Sequence, residues 1–212
     1  MRKLLLPLAL TLAASALPTL ALAEKTQDEK TQAEDATAVF AGGCFWCMEE
    51  AYDEIEGVKA TTSGYTGGEK SNPSYQQVSR GETQHTEAVE VEYDPQTVDY
   101  ATLLEAFWHN IDPFAENRQF CDSGAQYRSA IFYQNDEQKS LAEKTKKELE
   151  ERFGQPIATQ IVPASQFWKA EGYHQDYYKK NPVRYRFYKA GCGRTDRLKE
   201  IWGDQAGLPG SK

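Results

Sequence analysis

The pattern of hydrophobic and polar positions along the chain predicts alternating strands and helices. Runs with the alternation or continuous apolar character of strands occur at residues 37–41, 58–65, 86–93, 127–133 and 159–162. Helical spacing of apolar side chains occurs at residues 44–55, 100–110 and 135–153. A short helix is predicted at 72–78, with Asn72 as its cap and Pro73 at its first position. The order contains two successive βαβ units.

Two βαβ units in succession predict an α+β fold. We expect a two-layer sandwich built on split βαβ (ferredoxin-like) units, with helices on a mixed sheet. Residues 114–126 are predicted to form a loop. Further along, 167–178 are predicted to be helical, 182–188 extended, 190–194 a flexible loop and 198–202 at most two helical turns. The predicted domain therefore spans residues 37–203 with an irregular C-terminal extension, followed by a flexible tail at 204–212.

The first residues have the pattern of a secretory signal peptide, predicted to span residues 1–23. The pair Arg2-Lys3 precedes an apolar stretch at 4–16, and Ala-Leu-Ala at 21–23 is typical of a cleavage site. A polar, charged spacer at 24–36 is predicted to be disordered. We expect an exported, periplasmic protein that has no membrane segment after cleavage. An uncleaved anchor is the alternative.

Composition narrows the classes of function. The chain has 212 residues, 40% of them hydrophobic and 26% charged, and its formal net charge is −8. One domain of this size can bury a sizeable core, and so acidic a chain argues against nucleic-acid binding. An exported domain of this length does not depend on disulfides for stability. The four cysteines are Cys44, Cys47, Cys121 and Cys192.

Cys44 stands at the junction of a predicted strand and a predicted helix. Gly42 and Gly43 let the backbone turn between these two elements. Unpaired N–H groups and the positive end of the helix dipole are expected to lower the pKa of the thiol below its free value of about 8.5. This position suits a nucleophile. The alternative is a buried structural cysteine or half of an ordinary disulfide.

Cys47 follows Cys44 by three residues, so the two thiols are neighbours on one helical face. This separation is compatible with a disulfide and favours redox chemistry. Zinc is the rival interpretation. A structural zinc site takes four ligands, whereas Cys121 and Cys192 are isolated in the sequence, so we expect no metal.

Glu87 is the most informative residue outside the predicted Cys44 helix. Alternation along residues 86–93 places its side chain on the face that carries Val89 and Val91. A carboxylate on an apolar face is costly unless it is paired or protonated, and burial raises its pKa. Glu87 is therefore a candidate general acid. The alternative is a glutamate at the end of a strand that turns out to solvent.

Other side chains are ambiguous from the residues alone. Phe45 and Trp46 flank the thiol and would form an apolar pocket wall or anchor the helix. Asp122, in a glycine-containing loop, would be interpreted as a turn residue. Phenols that can donate hydrogen bonds come from Tyr65, Tyr75, Tyr127 and Tyr133. The three histidines, at positions 85, 109 and 174, are each interpreted as structural.

Four blocks of the sequence resemble the peptide methionine sulfoxide reductase A family, in the family's order and at similar spacing. They are Gly-Gly-Cys-Phe-Trp at 42–46, Gly-Tyr-Thr-Gly-Gly at 64–68 with Asn-Pro-Ser-Tyr at 72–75, His-Thr-Glu-Ala-Val at 85–89, and Asp-Ser-Gly-Ala-Gln-Tyr-Arg-Ser at 122–129. The resemblance covers about residues 39–202. Four ordered blocks are far more specific than one short motif.

The resemblance implies a catalytic role for four side chains. Cys44 would attack the sulfur of a methionine S-sulfoxide. Glu87 would protonate the sulfoxide oxygen, helped by the hydroxyls of Tyr75 and Tyr127. Attack would leave methionine and a sulfenic acid on Cys44. A thiolate and a protonated carboxyl must then face each other in one apolar pocket.

The resemblance also implies substrate contacts and a second thiol. Phe45 and Trp46 would hold the ε-methyl group, and Asp122 would bind the backbone of the substrate methionine. Cys47 and Cys192 are both candidates for resolving the sulfenic acid, with Cys47 favoured for the first step and Cys192 for relaying the disulfide outward. Cys121 is either an inert thiol or the partner of Cys192, and a stable bridge between them would remove Cys192 from catalysis.

The expected partners follow from this chemistry. The substrates would be oxidised methionine-containing proteins or peptides, or the free amino acid. No bound cofactor is expected, because an external thioredoxin-like thiol reductant would supply electrons to a monomeric enzyme. Two alternatives stay open: a thioredoxin-like thiol–disulfide oxidoreductase that uses Cys44 and Cys47, and a non-catalytic binding module stabilised by disulfides.

Overall fold

The computed structural model describes residues 34–208. The strands of this part of the chain are β1 (Ala36–Gly42), β2 (Val58–Thr66), β3 (Thr86–Tyr93), β4 (Arg118–Gln119), β5 (Asp122–Ser123), β6 (Ser129–Tyr133), β7 (Gln160–Pro163) and β8 (Trp168–Lys169). Its helices are α1 (Phe45–Asp53), α2 (Tyr75–Ser79), α3 (Tyr100–His109), α4 (Asp136–Phe153), α5 (Tyr177–Lys180), α6 (Pro182–Gly191) and α7 (Arg194–Trp202).

Six strands form one mixed sheet in the order β7–β6–β1–β3–β2–β8. Neighbouring strands are antiparallel except for β6 and β7, which are parallel. β4 and β5 pair separately as a small hairpin within the predicted loop. The predicted α+β class and mixed sheet are confirmed, and all five predicted strands are present.

The alternation along β1 divides the apolar core between the two faces of the sheet. Phe40 faces the larger part, where its ring stacks on Tyr52 of α1 and Phe107 of α3 at centroid distances of 5.3 and 5.4 Å. Its neighbours Val39 and Ala41 belong to a smaller cluster. Because α1 packs on the larger part of the core, the residues between β1 and α1 are held at the C-terminal end of β1.

The predictions for residues 167–178 and 182–188 are wrong. Trp168 and Lys169 form a strand on β2, and Gln175 bonds to both the N–H and the carbonyl oxygen of Ser63, at 3.0 and 2.9 Å. These long-range contacts outweigh the local helical preference. Residues 182–191 form α6 instead of an extended segment, with Pro182 at its first position.

The segment 190–194, predicted to be a flexible loop, is the tight junction between α6 and α7. Cys192 forms a disulfide with Cys121, 71 residues earlier. Gly193 adopts a positive φ of 65°, and Arg194 is buried and donates to the carbonyl oxygen of Asn110. The junction is thus fixed by a covalent bond and a buried cation, and the C-terminal extension is largely helical.

Smaller differences concern the ends of elements. Asn72 has a φ of 46° and does not cap α2. The helix begins at Tyr75, after Ser74, and the N–H of Ser74 donates to the side chain of Gln77 at 3.1 Å.

The predicted signal peptide, most of the predicted spacer and residues 209–212 lie outside the described residues. The start of the predicted tail forms a 3₁₀ turn, Gly203–Gln205. Within 34–208, no helix has the length and apolar character needed to span a bilayer.

Gly43 is the backbone feature that places Cys44 at the start of α1. Its φ is +82°, and a Cβ there would lie 2.4 Å from the Cβ of Gln119. Gln119 cannot move away easily, because it is fully buried and its side-chain amide bonds to the N–H and the carbonyl oxygen of Asp112 at 2.9 and 2.7 Å. Only glycine fits this turn without displacing the buried amide.

We predict that Gly43→Ala lowers the free energy of unfolding by more than the about 1–3 kcal/mol of backbone strain alone, because it also displaces Gln119. Gly154→Ala is the matched control. Its φ of +66° is also positive, but nothing lies within 4 Å of the added Cβ, so about 1 kcal/mol is expected. Urea unfolding of both variants measures the difference, and equal losses would contradict the argument.

Candidate active site

One cavity of about 280 Å³ collects most of the side chains singled out from the sequence. The predicted members of its lining are Cys44, Phe45, Trp46, Tyr75, Glu87, Asp122 and Tyr127. Three further residues, Tyr177, Arg184 and Tyr188, complete it from α5 and α6. Residues from five separate parts of the chain therefore converge on one site.

The pairing of β1 with β3 brings Cys44 and Glu87 together. The strands are antiparallel, with Phe40 opposite Val89, so the end of β1 lies next to the start of β3 in the middle of the sheet. The N–H of Phe45, the first residue of α1, donates to Oε2 of Glu87 at 3.2 Å. The Glu87 side chain is only 2% exposed, so the alternative in which it turns out to solvent is wrong.

The environment of Glu87 favours its protonated form. Burial raises the pKa of this carboxyl to about 8, opposed by the hydrogen bond from the Phe45 N–H and assisted by the nearby charges of Asp122 and Cys47. Glu87 is therefore largely neutral at pH 7. A protonated carboxyl beside a thiol is the arrangement that a general acid requires.

The thiols of Cys44, just before α1, and Cys47, within α1, form a hydrogen-bonded pair. The lower pKa of the two belongs to Cys47, whereas the sequence predicted an acidic Cys44. Burial raises the pKa of Cys44 well above its ordinary value, and Cys47 and Glu87 raise it further. The pKa of Cys47 is lowered to about 6, first by its hydrogen bond with Cys44 and then by Arg194, which together with smaller contributions outweigh burial. The predicted acidic Cys44 is wrong for the substrate-free chain, because desolvation exceeds the effect of the helix terminus.

Asp122 and Tyr188 connect the two walls of the cavity. The Tyr188 hydroxyl donates to Oδ2 of Asp122 and also contacts the Cys44 thiol. Each residue lies close to one end of the disulfide, since Asp122 follows Cys121 and the Cys192 N–H donates to the Tyr188 carbonyl oxygen at 3.0 Å. The bridge occupies Cys192, so Cys47 is the thiol beside Cys44 in this state.

The aromatic wall is formed mainly by Trp46. Its ring stacks on Tyr177 at a centroid distance of 3.8 Å and an interplanar angle of 11°. Phe45 lies beside it at 6.2 Å. This wall offers a thioether or methyl group an apolar surface next to the Cys44 sulfur.

The phenols of Tyr75 and Tyr127 face the same cavity as Glu87. Burial raises the pKa of Tyr75 to about 12 and that of Tyr127 further, in both cases assisted by the charge of Glu87. Both hydroxyls therefore keep their protons at pH 7 and can donate hydrogen bonds. With Glu87, they supply three donors to one polar corner of the cavity.

Sequence reasoning missed Arg184 and Tyr188 because it assigned no helix to residues 182–191. It gave no role to Tyr177, which lies in the stretch 167–178 that was predicted to be helical. Helical spacing was the available signal: Arg184 and Tyr188 are four residues apart and share one face of α6. For zinc, the group of potential ligands found among residues 34–208 is Cys121, Asp122 and Cys192. Its two sulfurs are bonded to each other, so this group does not fit a tetrahedral zinc site.

Comparison with known proteins identifies the class to which this site belongs. The family model for peptide methionine sulfoxide reductase matches residues 36–206. The chain is 50% identical over 170 residues to the peptide methionine sulfoxide reductase MsrA of Bacillus velezensis, covering 79% of this chain and 96% of that protein. It is 50% identical over 168 residues to MsrA of Bacillus subtilis, covering 78% and 95%.

Solved structures agree with the sequence relatives. Reduced Mxr1 of Saccharomyces cerevisiae superposes with a TM-score of 0.67 at 35% identity, covering 71% of this chain and 87% of that chain. Methionine sulfoxide reductase A of Corynebacterium diphtheriae gives 0.65 at 35% identity, covering 72% and 77%. The chain belongs to the peptide methionine sulfoxide reductase A family and is an oxidoreductase of that class.

The pKa of Glu87 predicts how the reduction step depends on pH. The carboxyl donates a proton only while protonated, so the single-turnover rate of pre-reduced enzyme is expected to fall as the pH rises through about 8. Glu87→Gln keeps a neutral donor of similar shape but cannot titrate. Its slower rate should lack this alkaline decline, and rapid-quench measurement between pH 6 and 10 tests this. The same decline in both proteins would exclude Glu87 as its source.

Proposed function

We propose that this enzyme reduces the S epimer of methionine sulfoxide, in proteins, peptides or as the free amino acid, through a Cys44 sulfenic acid. The observation that carries the proposal is the shared cavity of Cys44 and the largely protonated Glu87. A sulfoxide oxygen leaves sulfur readily only when protonated. An acid and a sulfur nucleophile must therefore reach the same substrate atom pair.

The lining suggests how the substrate lies. Its methyl group packs against Phe45 and Trp46, and its backbone N–H donates to Asp122. The sulfoxide oxygen then points to Glu87, with the phenols of Tyr75 and Tyr127 as additional donors. These contacts discriminate between the epimers, because exchange of oxygen and methyl would put a polar oxygen on the aromatic wall.

The hydrogen-bonded thiols suggest how Cys44 becomes nucleophilic. Cys47 has the lower pKa and is the thiolate of the pair, so it can accept the proton of Cys44 as the Cys44 sulfur attacks. Glu87 gives its proton to the sulfoxide oxygen. The hydroxyl then transfers from the substrate sulfur to the Cys44 sulfur: the substrate's sulfur–oxygen bond and the transient bond between the two sulfurs both break, which leaves methionine and a sulfenic acid on Cys44.

In the second step, the proton that Cys47 has accepted leaves with the sulfenic hydroxyl as water. Cys47 attacks the sulfenic acid, water is released, and a Cys44–Cys47 disulfide forms. The enzyme returns to its dithiol form when an external thiol reductant, of thioredoxin-like type, exchanges with this disulfide. We assign the resolving role to Cys47, because Cys192 is bonded to Cys121.

We further propose that the protein repairs oxidised methionine in exported proteins and acts in the periplasm. Residues 1–23 have the signal-peptide pattern, and the Cys121–Cys192 disulfide suits an oxidising compartment. Fractionation of cells that produce the full chain tests this location. Recovery of the uncleaved chain in the cytoplasm would contradict it.

The enzymatic proposal predicts strict selectivity for one epimer. With dithiothreitol as reductant, the protein is expected to convert N-acetyl-methionine S-sulfoxide to the thioether and to leave the R epimer unchanged. Cys44→Ser should abolish the reaction, because an alcohol cannot supply the sulfur nucleophile. Chiral chromatography of the product mixture measures both epimers. Turnover of the R epimer, or none of the S epimer, would refute the assignment.

The assignment of the resolving thiol predicts one specific disulfide. After one turnover without reductant, peptide mapping should find Cys44 joined to Cys47. Cys47→Ser should instead accumulate a sulfenic acid that dimedone labels, and it should form methionine more slowly because the proton acceptor is lost. A Cys121→Ser/Cys192→Ser double variant is the control and should form the Cys44–Cys47 disulfide normally. A Cys44–Cys192 disulfide in the wild-type protein would contradict the assignment.

A further inference from the structure

The turn between β8 and α5 contacts the active site from behind, although its side chains do not line the cavity. Its residues 171–176 were predicted to be helical, and His174 was interpreted as structural. Two of its side chains bond directly to cavity residues: His174 to Trp46 and Glu171 to Tyr75. We refer to residues 171–176 as the support turn.

His174 holds the aromatic wall. Its Nδ1 accepts a hydrogen bond from the indole Nε1–H of Trp46 at 3.2 Å, and its ring lies 4.9 Å from that of Phe45. The side chain is 2% exposed, and burial lowers its pKa to about 4. The imidazole is therefore neutral at ordinary pH and available as an acceptor. The bond restricts rotation of the Trp46 side chain about its χ angles.

Glu171 holds the phenol-bearing end of α2. Its Oε1 accepts from the backbone N–H of Tyr75 at 2.9 Å, and its Oε2 accepts from the Tyr65 hydroxyl at 2.8 Å. Tyr75 is the first residue of a short helix, so this bond fixes the backbone from which its phenol extends. The His174 ring lies 4.3 Å from the Tyr75 ring and links the two contacts.

The support turn is itself anchored to two rigid elements. Gln175 bonds to both backbone groups of Ser63 in β2. The Asp176 N–H donates to Oε1 of Glu49, a buried residue of α1, at 3.1 Å. A displacement of the turn relative to the sheet would therefore break several partly buried hydrogen bonds at once. This rigidity suits a part that sets the geometry of a site.

We propose that His174 and Glu171 are positioning residues: His174 sets the depth of the methyl pocket through Trp46, and Glu171 sets the reach of the Tyr75 phenol. The inference rests on the proposed function, in which Trp46 contacts the substrate methyl group and Tyr75 donates to the sulfoxide oxygen. It assigns the two residues different effects: His174 governs the size of the group on sulfur that the pocket accepts, and Glu171 governs proton donation by Tyr75.

The size of the group on sulfur tests the role of His174. The measured quantity is the maximal single-turnover rate divided by the substrate dissociation constant. For pre-reduced wild-type enzyme, this ratio is expected to be about tenfold or more higher for the S epimer of methionine sulfoxide than for the same epimer of the analogue with an ethyl group on sulfur, because the pocket must hold one more methylene. His174→Leu should reduce this preference at least about threefold, because Trp46 loses its acceptor. His174→Asn should restore most of it, because its Oδ1 lies close to the position of Nδ1.

A second buried histidine provides a matched control. His109 is 5% exposed, and its ring also contacts a tryptophan, Trp202, at 5.0 Å, but it lies outside the cavity. His109→Leu should lower stability without changing the methyl-to-ethyl preference. The preference is a ratio of two rates measured on the same protein preparation, so partial unfolding of a variant cancels from it.

The role of Glu171 is tested on the same substrates. Glu171→Leu should lower the maximal single-turnover rate about tenfold and leave the methyl-to-ethyl preference within about twofold, because Trp46 keeps its acceptor. Glu171→Gln retains one carbonyl oxygen and should be intermediate. A change in preference without a change in maximal rate would contradict this assignment.

The outcomes separate this inference from the proposed function. If wild-type enzyme does not reduce methionine S-sulfoxide, the proposed function fails before any variant is compared. If it does, but His174→Leu keeps the wild-type preference or His109→Leu loses it equally, the positioning role of His174 is refuted and the proposed function stands. Failure of His174→Asn to recover the preference would also count against the hydrogen bond as the cause.

Discussion

The removal of the Glu87 carboxyl from water is the constraint on which the rest of the site depends. In water this group would be ionised at pH 7 and useless as an acid. Its position at the start of β3, opposite the end of β1, lets it accept a hydrogen bond from the N–H of Phe45 at the start of α1, in the cavity that Cys44 also lines. The sheet register thus decides a protonation state. Aromatic rings and phenols close the remaining directions from which solvent would reach it.

That same burial explains why the thiol pair behaves as a unit. A site dry enough to keep a carboxylic acid neutral also disfavours a thiolate on Cys44. The pKa of Cys47 is lowered instead, first by its hydrogen bond with Cys44 and then by the charge of Arg194. Burial thus favours the neutral forms of both Glu87 and Cys44 in the substrate-free chain. One solvation effect therefore accounts for two of the three protonation states, whereas a hydrogen bond and a nearby positive charge account for that of Cys47.

The fold and half of the site were predictable because they depend on local pattern. Period-two alternation located β3 and placed Glu87 on its apolar face, and paired glycines marked the turn before Cys44. The acidity of Cys44 was not predictable, since it depends on how completely other elements exclude water. The conformations of the support turn and of α6 were not predicted for a related reason, because Gln175 and Tyr188 bond to residues 112 and 66 positions away in the sequence.

The disulfide between Cys121 and Cys192 has a consequence for assembly. It closes a covalent ring between two cysteines 71 positions apart, which begins beside Asp122 and ends one helical turn beyond Tyr188. An oxidised chain keeps this ring even when unfolded, which reduces the entropy lost on folding by about 4 kcal/mol. The helices α5 and α6, which contribute residues to the cavity, lie within this ring and are therefore tethered to the side of Asp122 before they have packed. Formation of the disulfide would then favour assembly of the cavity as well as stability.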